Sequence, residues 1–94
     1  MAFETTVRLR ITGRVQGVGY RLWASRTAAK LGLRGWVRNR PDGSVEALVT
    51  GDPEDVAAMI KASRNGPPGA HVTEVTATPD TDDGTNGFVA LPTE

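Results

Sequence analysis

A chain of 94 residues has room for one small domain, which we expect to span residues 1–94. It has no cysteine and only one histidine, which excludes disulfides, thiolate chemistry and a histidine-built metal cluster. The net charge is zero, and neither a membrane-spanning apolar run nor a signal-peptide pattern is present, so we expect a cytoplasmic monomer.

The first predicted elements are a strand and a helix joined by a glycine-rich loop. From Val7 to Thr12, apolar residues alternate with arginines, which is typical of a half-buried strand. Residues 13–19 contain three glycines, and residues 21–31 place apolar side chains at helical spacing. Because glycine lacks a Cβ, the N–H groups of such a loop can gather around an anion at the start of the helix. The loop therefore predicts a phosphate cradle.

The rest of the chain predicts a hairpin, a second helix and two more strands. Strands at 33–40 and 44–50 are joined by a Pro-Asp-Gly turn, and Asp52 and Pro53 are a typical start for a helix over 53–64. Strands at 72–78 and 88–91 flank a polar loop. The order βαββαβ with a short added strand predicts an α+β, ferredoxin-like split βαβ sandwich, in which an antiparallel sheet carries two helices on one face.

This topology brings two distant polar segments to one edge of the sheet. Strands 1 and 2 run parallel with strand 3 between them, because the crossover through the first helix is right-handed. Their carboxyl ends lie about 10 Å apart, where the glycine loop follows strand 1 and Asn39 ends strand 2. A phosphate held by the loop would therefore lie near Asn39.

Positive charge is concentrated in the half of the chain that carries the loop. Residues 1–40 hold nine Lys or Arg and one acid, a net charge of +8, whereas residues 41–94 hold two Lys or Arg and ten acids, a net charge of −8. A local positive field favours an anionic ligand. Folding can also interleave the two halves so that their fields cancel, and the sequence leaves both outcomes open.

Arg21 is the first candidate for binding the anion. A cation in the first turn opposes the helix dipole, its side chain leans back toward the loop, and its planar fork can hold two phosphate oxygens. A solvated surface arginine is the alternative, just as Asn39 has the alternative of a turn-forming asparagine. At the other end of the loop, Arg14 is expected to be solvated.

Other motifs fail on inspection of their spacing. Leu22 stands where a dinucleotide-binding G-x-G-x-x-G needs glycine, and no Lys followed by Ser or Thr completes a P-loop. The aspartates within 80–83 lack the glycine and glutamate of an EF-hand, so a solvated loop is expected. His71 is expected to begin a strand without a catalytic role. Trp23 and Trp36 are expected to be packing residues rather than a base-stacking pair.

Three separated blocks resemble the acylphosphatase family, and its small bacterial members in particular. They are GRVQGVGYR at 13–21, GLRGWVRN at 32–39 and DGSVE at 42–46. The resemblance implies metal-independent hydrolysis of acyl phosphates to a carboxylate and inorganic phosphate, without a cofactor. It also implies that Arg21 binds the phosphate and that Asn39 positions the attacking water. The implied loop amides belong to Gln16, Gly17, Val18, Gly19 and Tyr20.

The residues agree with a reaction that needs no protein nucleophile. The leaving group of an acyl phosphate is a carboxylate with a pKa of about 4, so it departs with little help from a general acid. Positioning and charge stabilisation can carry most of phosphoryl transfer. Two rival functions are a phosphate-binding domain without turnover and an RNA-binding ferredoxin-like module. Arg8 and Arg10 face outward with no aromatic between them, which argues against base stacking, so we do not expect nucleic acid as a partner. Because no apolar run is long enough to span a bilayer, we do not expect a membrane as a partner either.

Overall fold

The computed structural model describes residues 3–94 and contains every predicted strand and helix, with no end displaced by more than two residues. The helices have 11 residues each, which is too short to cross a bilayer, and no other helix lies in the described range. The elements are β1 (Thr5–Arg14), α1 (Tyr20–Lys30), β2 (Arg34–Asn39), β3 (Val45–Gly51), α2 (Pro53–Ser63), β4 (His71–Pro79) and β5 (Phe88–Ala90).

The strands form one sheet in the order β4-β1-β3-β2-β5. As predicted, β3 lies between β1 and β2, and these strands and β4 pair antiparallel. The added strand β5 instead pairs parallel to β2, so the sheet is mixed rather than wholly antiparallel. The reason is that residues 80–87 carry the chain from β4 to the opposite edge, where β5 enters in the direction of β2.

The core lies between the sheet and the two helices. Tyr20, Ala24 and Ala28 of α1 and Val56 and Met59 of α2 are buried in one cluster with the inward side chains of the strands. Burying a large apolar side chain contributes about 1.5–3 kcal/mol to stability. The helix α2 begins as predicted, because the Asp52 side chain accepts a hydrogen bond from the Glu54 N–H at 2.9 Å.

Ion pairs, rather than helices, cover the other face of the sheet. Glu46 of β3 accepts hydrogen bonds from Arg8 and Arg38. Burial alone would raise the pKa of Glu46, but the hydrogen bonds and the positive charges of these two arginines together outweigh it and hold the pKa below its usual value. The aspartates expected to be solvated are exposed, yet they also pair with this face: Arg8–Asp80, Arg34–Asp82 and Trp36–Asp83.

In the folded protein, the acidic half of the chain therefore largely neutralises the basic half. Acidic residues from the second half of the chain neutralise arginines from the first half across this face. The pairs are Arg8–Glu46, Arg8–Asp80, Arg10–Asp42, Arg34–Glu4, Arg34–Asp82, Arg38–Glu46, Arg38–Glu94, Arg40–Glu46 and Arg40–Glu94. Only the pair with Glu4 lies within the basic half.

Candidate functional site

The glycine loop is shorter than predicted, because β1 continues to Arg14. Its register with β4 shifts between Thr12 and Gly13, which marks a β-bulge. Gly13 has a φ of 116°, and a Cβ there would overlap the carbonyl group of His71. The first of the three glycines therefore serves the pairing of β1 with β4, and it does not belong to the cradle.

Gly17 and Gly19 shape the loop itself. Their φ angles are 75° and 77°, which lie in the left-handed region that glycine adopts without strain. A Cβ on either residue would meet no protein atom within 4 Å. Glycine is thus required here by the backbone conformation and not by crowding against the rest of the protein.

The loop and the start of α1 present a run of unpaired backbone donors. Among residues 3–94, no acceptor receives a hydrogen bond from the N–H groups of residues 16–22, and Trp23 is the first to donate, to the Gly19 carbonyl at 3.0 Å. The first turn of α1 contains no acid, and Gly19 supplies no side-chain cap. The helix α2, by contrast, has acidic residues in its first turn and a side-chain cap from Asp52. The positive end of α1 is therefore open to an external anion.

An open pocket of about 310 Å³ lies at this helix end. It combines the loop and the first turn of α1 with the end of β2 and with β5. Arg21 and Asn39, which the sequence analysis placed at the same sheet edge, both line it. The full lining is Val15, Gly17, Gly19, Tyr20, Arg21, Leu22, Asn39 and Ala90.

Arg21 is half-buried and is held by the segment that follows β5. Its Nη1 donates a hydrogen bond to the Leu91 carbonyl at 2.8 Å, and the Leu91 N–H donates to the Val37 carbonyl at 2.8 Å. No carboxylate among residues 3–94 forms an ion pair with Arg21. Its position is therefore fixed by a neutral acceptor, while its charge is available to a ligand.

Asn39 ends β2, where it pairs with Val45 of β3. Its carbonyl accepts a hydrogen bond from the Glu94 N–H at 3.2 Å. The C-terminal segment after β5 thus contacts both Arg21 and the backbone of Asn39. Sequence reasoning missed these contacts because a backbone carbonyl partner leaves no signature in the residue types.

Two predicted loop residues, Gln16 and Val18, do not line the pocket. The Gln16 side-chain amide donates to the carbonyls of Arg40 and Ser44 at 2.7 and 2.9 Å, which ties the loop to the turn between β2 and β3. Val18 packs against the core. Their side chains therefore support the loop from behind, and only their backbone could contribute to a cradle.

Tyr20 contributes to the site without its phenol. The side chain is 2% exposed, and its hydroxyl donates to the Ser63 carbonyl at 2.7 Å. Burial raises the pKa of Tyr20 to about 12. The phenol therefore stays protonated near neutral pH and holds the start of α1 on the core.

The remaining candidates lie elsewhere. Arg14 and His71 are exposed, pair with each other across β1 and β4, and do not line the pocket. Trp23 packs edge-on to Tyr20 on the helical side, whereas Trp36 lies on the ion-paired face under the guanidinium of Arg38. The two tryptophans do not form a joint stacking surface. No group of three His, Cys, Asp or Glu residues within the described range is arranged to hold a metal ion.

The acylphosphatase family appears in all three comparisons with known proteins. The acylphosphatase family model matches residues 7–90. An acylphosphatase of Thermococcus kodakarensis is 56% identical over 80 residues, which cover 85% of this chain and 88% of that protein. One from Rhodopseudomonas palustris is 59% identical over 73 residues, covering 77% and 74%. The crystal structure of acylphosphatase from Bacillus subtilis superposes with a TM-score of 0.89 at 36% identity, covering 95% and 99%.

Proposed function

This chain belongs to the acylphosphatase family and hydrolyses acyl phosphates, and we propose that the pocket at the start of α1 is where it does so. In this proposal the loop amides of residues 16–20 and Arg21 hold the phosphate, and Asn39 positions the water. The observation that carries the proposal is the shared pocket, which joins a helix start without a side-chain cap, an arginine that has no acidic partner within residues 3–94, and Asn39.

The phosphate is recognised by preformed donors. The unpaired N–H groups of the loop and the Arg21 fork can each donate to phosphate oxygens, and a hydrogen bond to a charged group contributes about 1.5–3 kcal/mol. The contact from Arg21 to Leu91 fixes the guanidinium before substrate arrives. Such fixed donors stabilise the charge of the transition state without reorganisation.

Asn39 acts on the nucleophile. The oxygen of a water held by its amide attacks phosphorus, and the bond between phosphorus and the acyl oxygen breaks. The electron pair leaves on the carboxylate, and one water proton passes to a phosphate oxygen of the substrate. The products are a carboxylate and inorganic phosphate. Because the leaving group has a pKa of about 4, no side-chain acid has to protonate it.

The proposed reaction uses groups of a single chain and no metal. Residues 1–94 act as one catalytic domain, and the proposed phosphate ligands are backbone N–H groups and Arg21. Activity per chain should be independent of protein concentration, as for a monomer, and should be unchanged by excess EDTA. A loss of activity in EDTA that is restored by a divalent metal would contradict this part of the proposal.

The test is hydrolysis of benzoyl phosphate by purified wild type and variants. Arg21→Ala should lose about 3 kcal/mol of transition-state stabilisation, on the order of 10²-fold or more in kcat/KM. Asn39→Ala should lower kcat more than it raises KM. Arg14→Ala removes an exposed arginine outside the pocket and is the matched control, which should keep full activity.

Two results would overturn the proposal. Full activity of Arg21→Ala, with a circular dichroism spectrum like that of the wild type, would show that the arginine does not hold the phosphate. A wild-type protein that binds inorganic phosphate but hydrolyses no acyl phosphate would instead indicate a phosphate-binding domain without turnover.

A further inference from the structure

We infer that Leu22 and Ala90 bind the acyl group of the substrate and select apolar acyl groups without a second charge. The inference rests on the proposed function, because it assumes that the phosphate occupies the loop and Arg21. It assigns a role to the apolar side of the pocket, which phosphate binding does not use.

Leu22 combines exposure with a place in the pocket. The residue is 55% exposed, and it is not part of the core cluster. A single exposed leucine on a protein surface is ordinary. This one directly follows Arg21 in the first turn of α1 and lines the same pocket, with Ala90 contributed by β5. The two residues therefore form an apolar wall beside the proposed phosphate site.

The size of the pocket leaves room for a second chemical group. Its volume of about 310 Å³ is at the lower end of the range of roughly 300–1,000 Å³ for small-molecule pockets. A phosphate alone is much smaller than a ligand that fills such a pocket. With the phosphate on the loop and Arg21, the remaining space faces Leu22 and Ala90.

The charges around the pocket disfavour a second anionic group on the ligand. Among the residues that the structure describes, Arg21 is the one cation in the lining, and in this proposal the phosphate uses it. The arginines on either side of Asn39 are already paired: Arg38 and Arg40 both contact Glu46 and Glu94. An acyl group with its own carboxylate would thus lose hydration against an apolar wall without gaining a free cation.

The first test compares substrates that differ only in acyl size. Benzoyl phosphate and acetyl phosphate are assayed with the wild type, Leu22→Ala and Val89→Ala. Val89 is the matched control, because it is 40% exposed on β5 but does not line the pocket. Leu22→Ala should lower kcat/KM for benzoyl phosphate about 5- to 10-fold and leave acetyl phosphate within about twofold, because the acetyl methyl group reaches little of the wall. Val89→Ala should change neither.

The second test varies charge at constant size. The wild type should hydrolyse 4-methylbenzoyl phosphate with a kcat/KM about 10-fold or more above that for 4-carboxybenzoyl phosphate. Equal loss on benzoyl and acetyl phosphate in Leu22→Ala, or equal use of the methyl and carboxy substrates, would overturn the inference while acyl phosphate hydrolysis stands. Failure of the wild type to hydrolyse even acetyl phosphate would overturn both the inference and the proposed function.

Discussion

Replacing Gln16 with methionine should loosen the tie between the glycine loop and the turn after Asn39. The wild-type amide donates two hydrogen bonds, to the carbonyls of Arg40 and Ser44 at 2.7 and 2.9 Å. Each such bond contributes a net stabilisation of about 0.5–1.5 kcal/mol, and methionine can donate neither. The free energy of unfolding should therefore fall by about 1–3 kcal/mol. For a domain of this size that is a fall in Tm of roughly 4–24 °C.

Urea unfolding followed by circular dichroism measures this change directly. The slope against urea should stay constant, because the surface exposed on unfolding is nearly the same in both proteins. Since the tie also fixes the loop against the strand that carries Asn39, kcat should fall under conditions where the variant is folded. Arg14→Met, at an exposed site close by, should change neither quantity. Wild-type stability in Gln16→Met would refute the idea that the amide holds the loop in place.

Three further substitutions test other parts of the structure. Gly35→Ala should lower the free energy of unfolding by about 3 kcal/mol or more, since Gly35 has a φ of 136° and a Cβ would overlap the Leu48 carbonyl. Gly43→Ala is the control, because a Cβ at Gly43 meets nothing within 4 Å. Equal Tm values for the two variants would contradict this prediction. The lowered pKa of Glu46 means that its stabilising contribution is present above the usual glutamate range and is lost as the pH falls through the folded-state pKa. Glu46→Gln should therefore be less stable than wild type at pH 7, with a smaller gap at pH 3, in paired urea titrations. His71→Ala should leave kcat and KM for benzoyl phosphate at their wild-type values, because the residue is exposed and lies outside the pocket, and a fall in kcat with the fold intact would implicate the histidine.

The sequence predicted the elements and their order because their signals are local. Strict alternation in β1, the Asp52 cap of α2 and the turn at 41–43 each depend on a few adjacent residues. The handedness of the crossover then placed Arg21 and Asn39 at one edge, and the structure places both in one pocket.

What the sequence could not supply are contacts made through the backbone over long separations. The bulge at Gly13 depends on pairing with His71, so the glycine could not be told apart from Gly17 and Gly19 in the loop. The amide of Gln16 binds two carbonyls, which any residue type would offer. The direction of β5 and the pairing of the aspartates after β4 with the arginine face depend on how the last third of the chain crosses the sheet.

The hydrogen bond from Arg21 to Leu91 joins residues 70 positions apart. All the residues of the cradle leave the ribosome before the acceptor that fixes the arginine, because Leu91 follows them in the chain. A nascent chain that has released residues 1–79 would hold the complete loop, Arg21, Asn39 and four of the five strands. Its guanidinium would still lack the Leu91 carbonyl, and Asn39 would still lack the Glu94 N–H, so the contacts that fix the site form only after the elements that carry it.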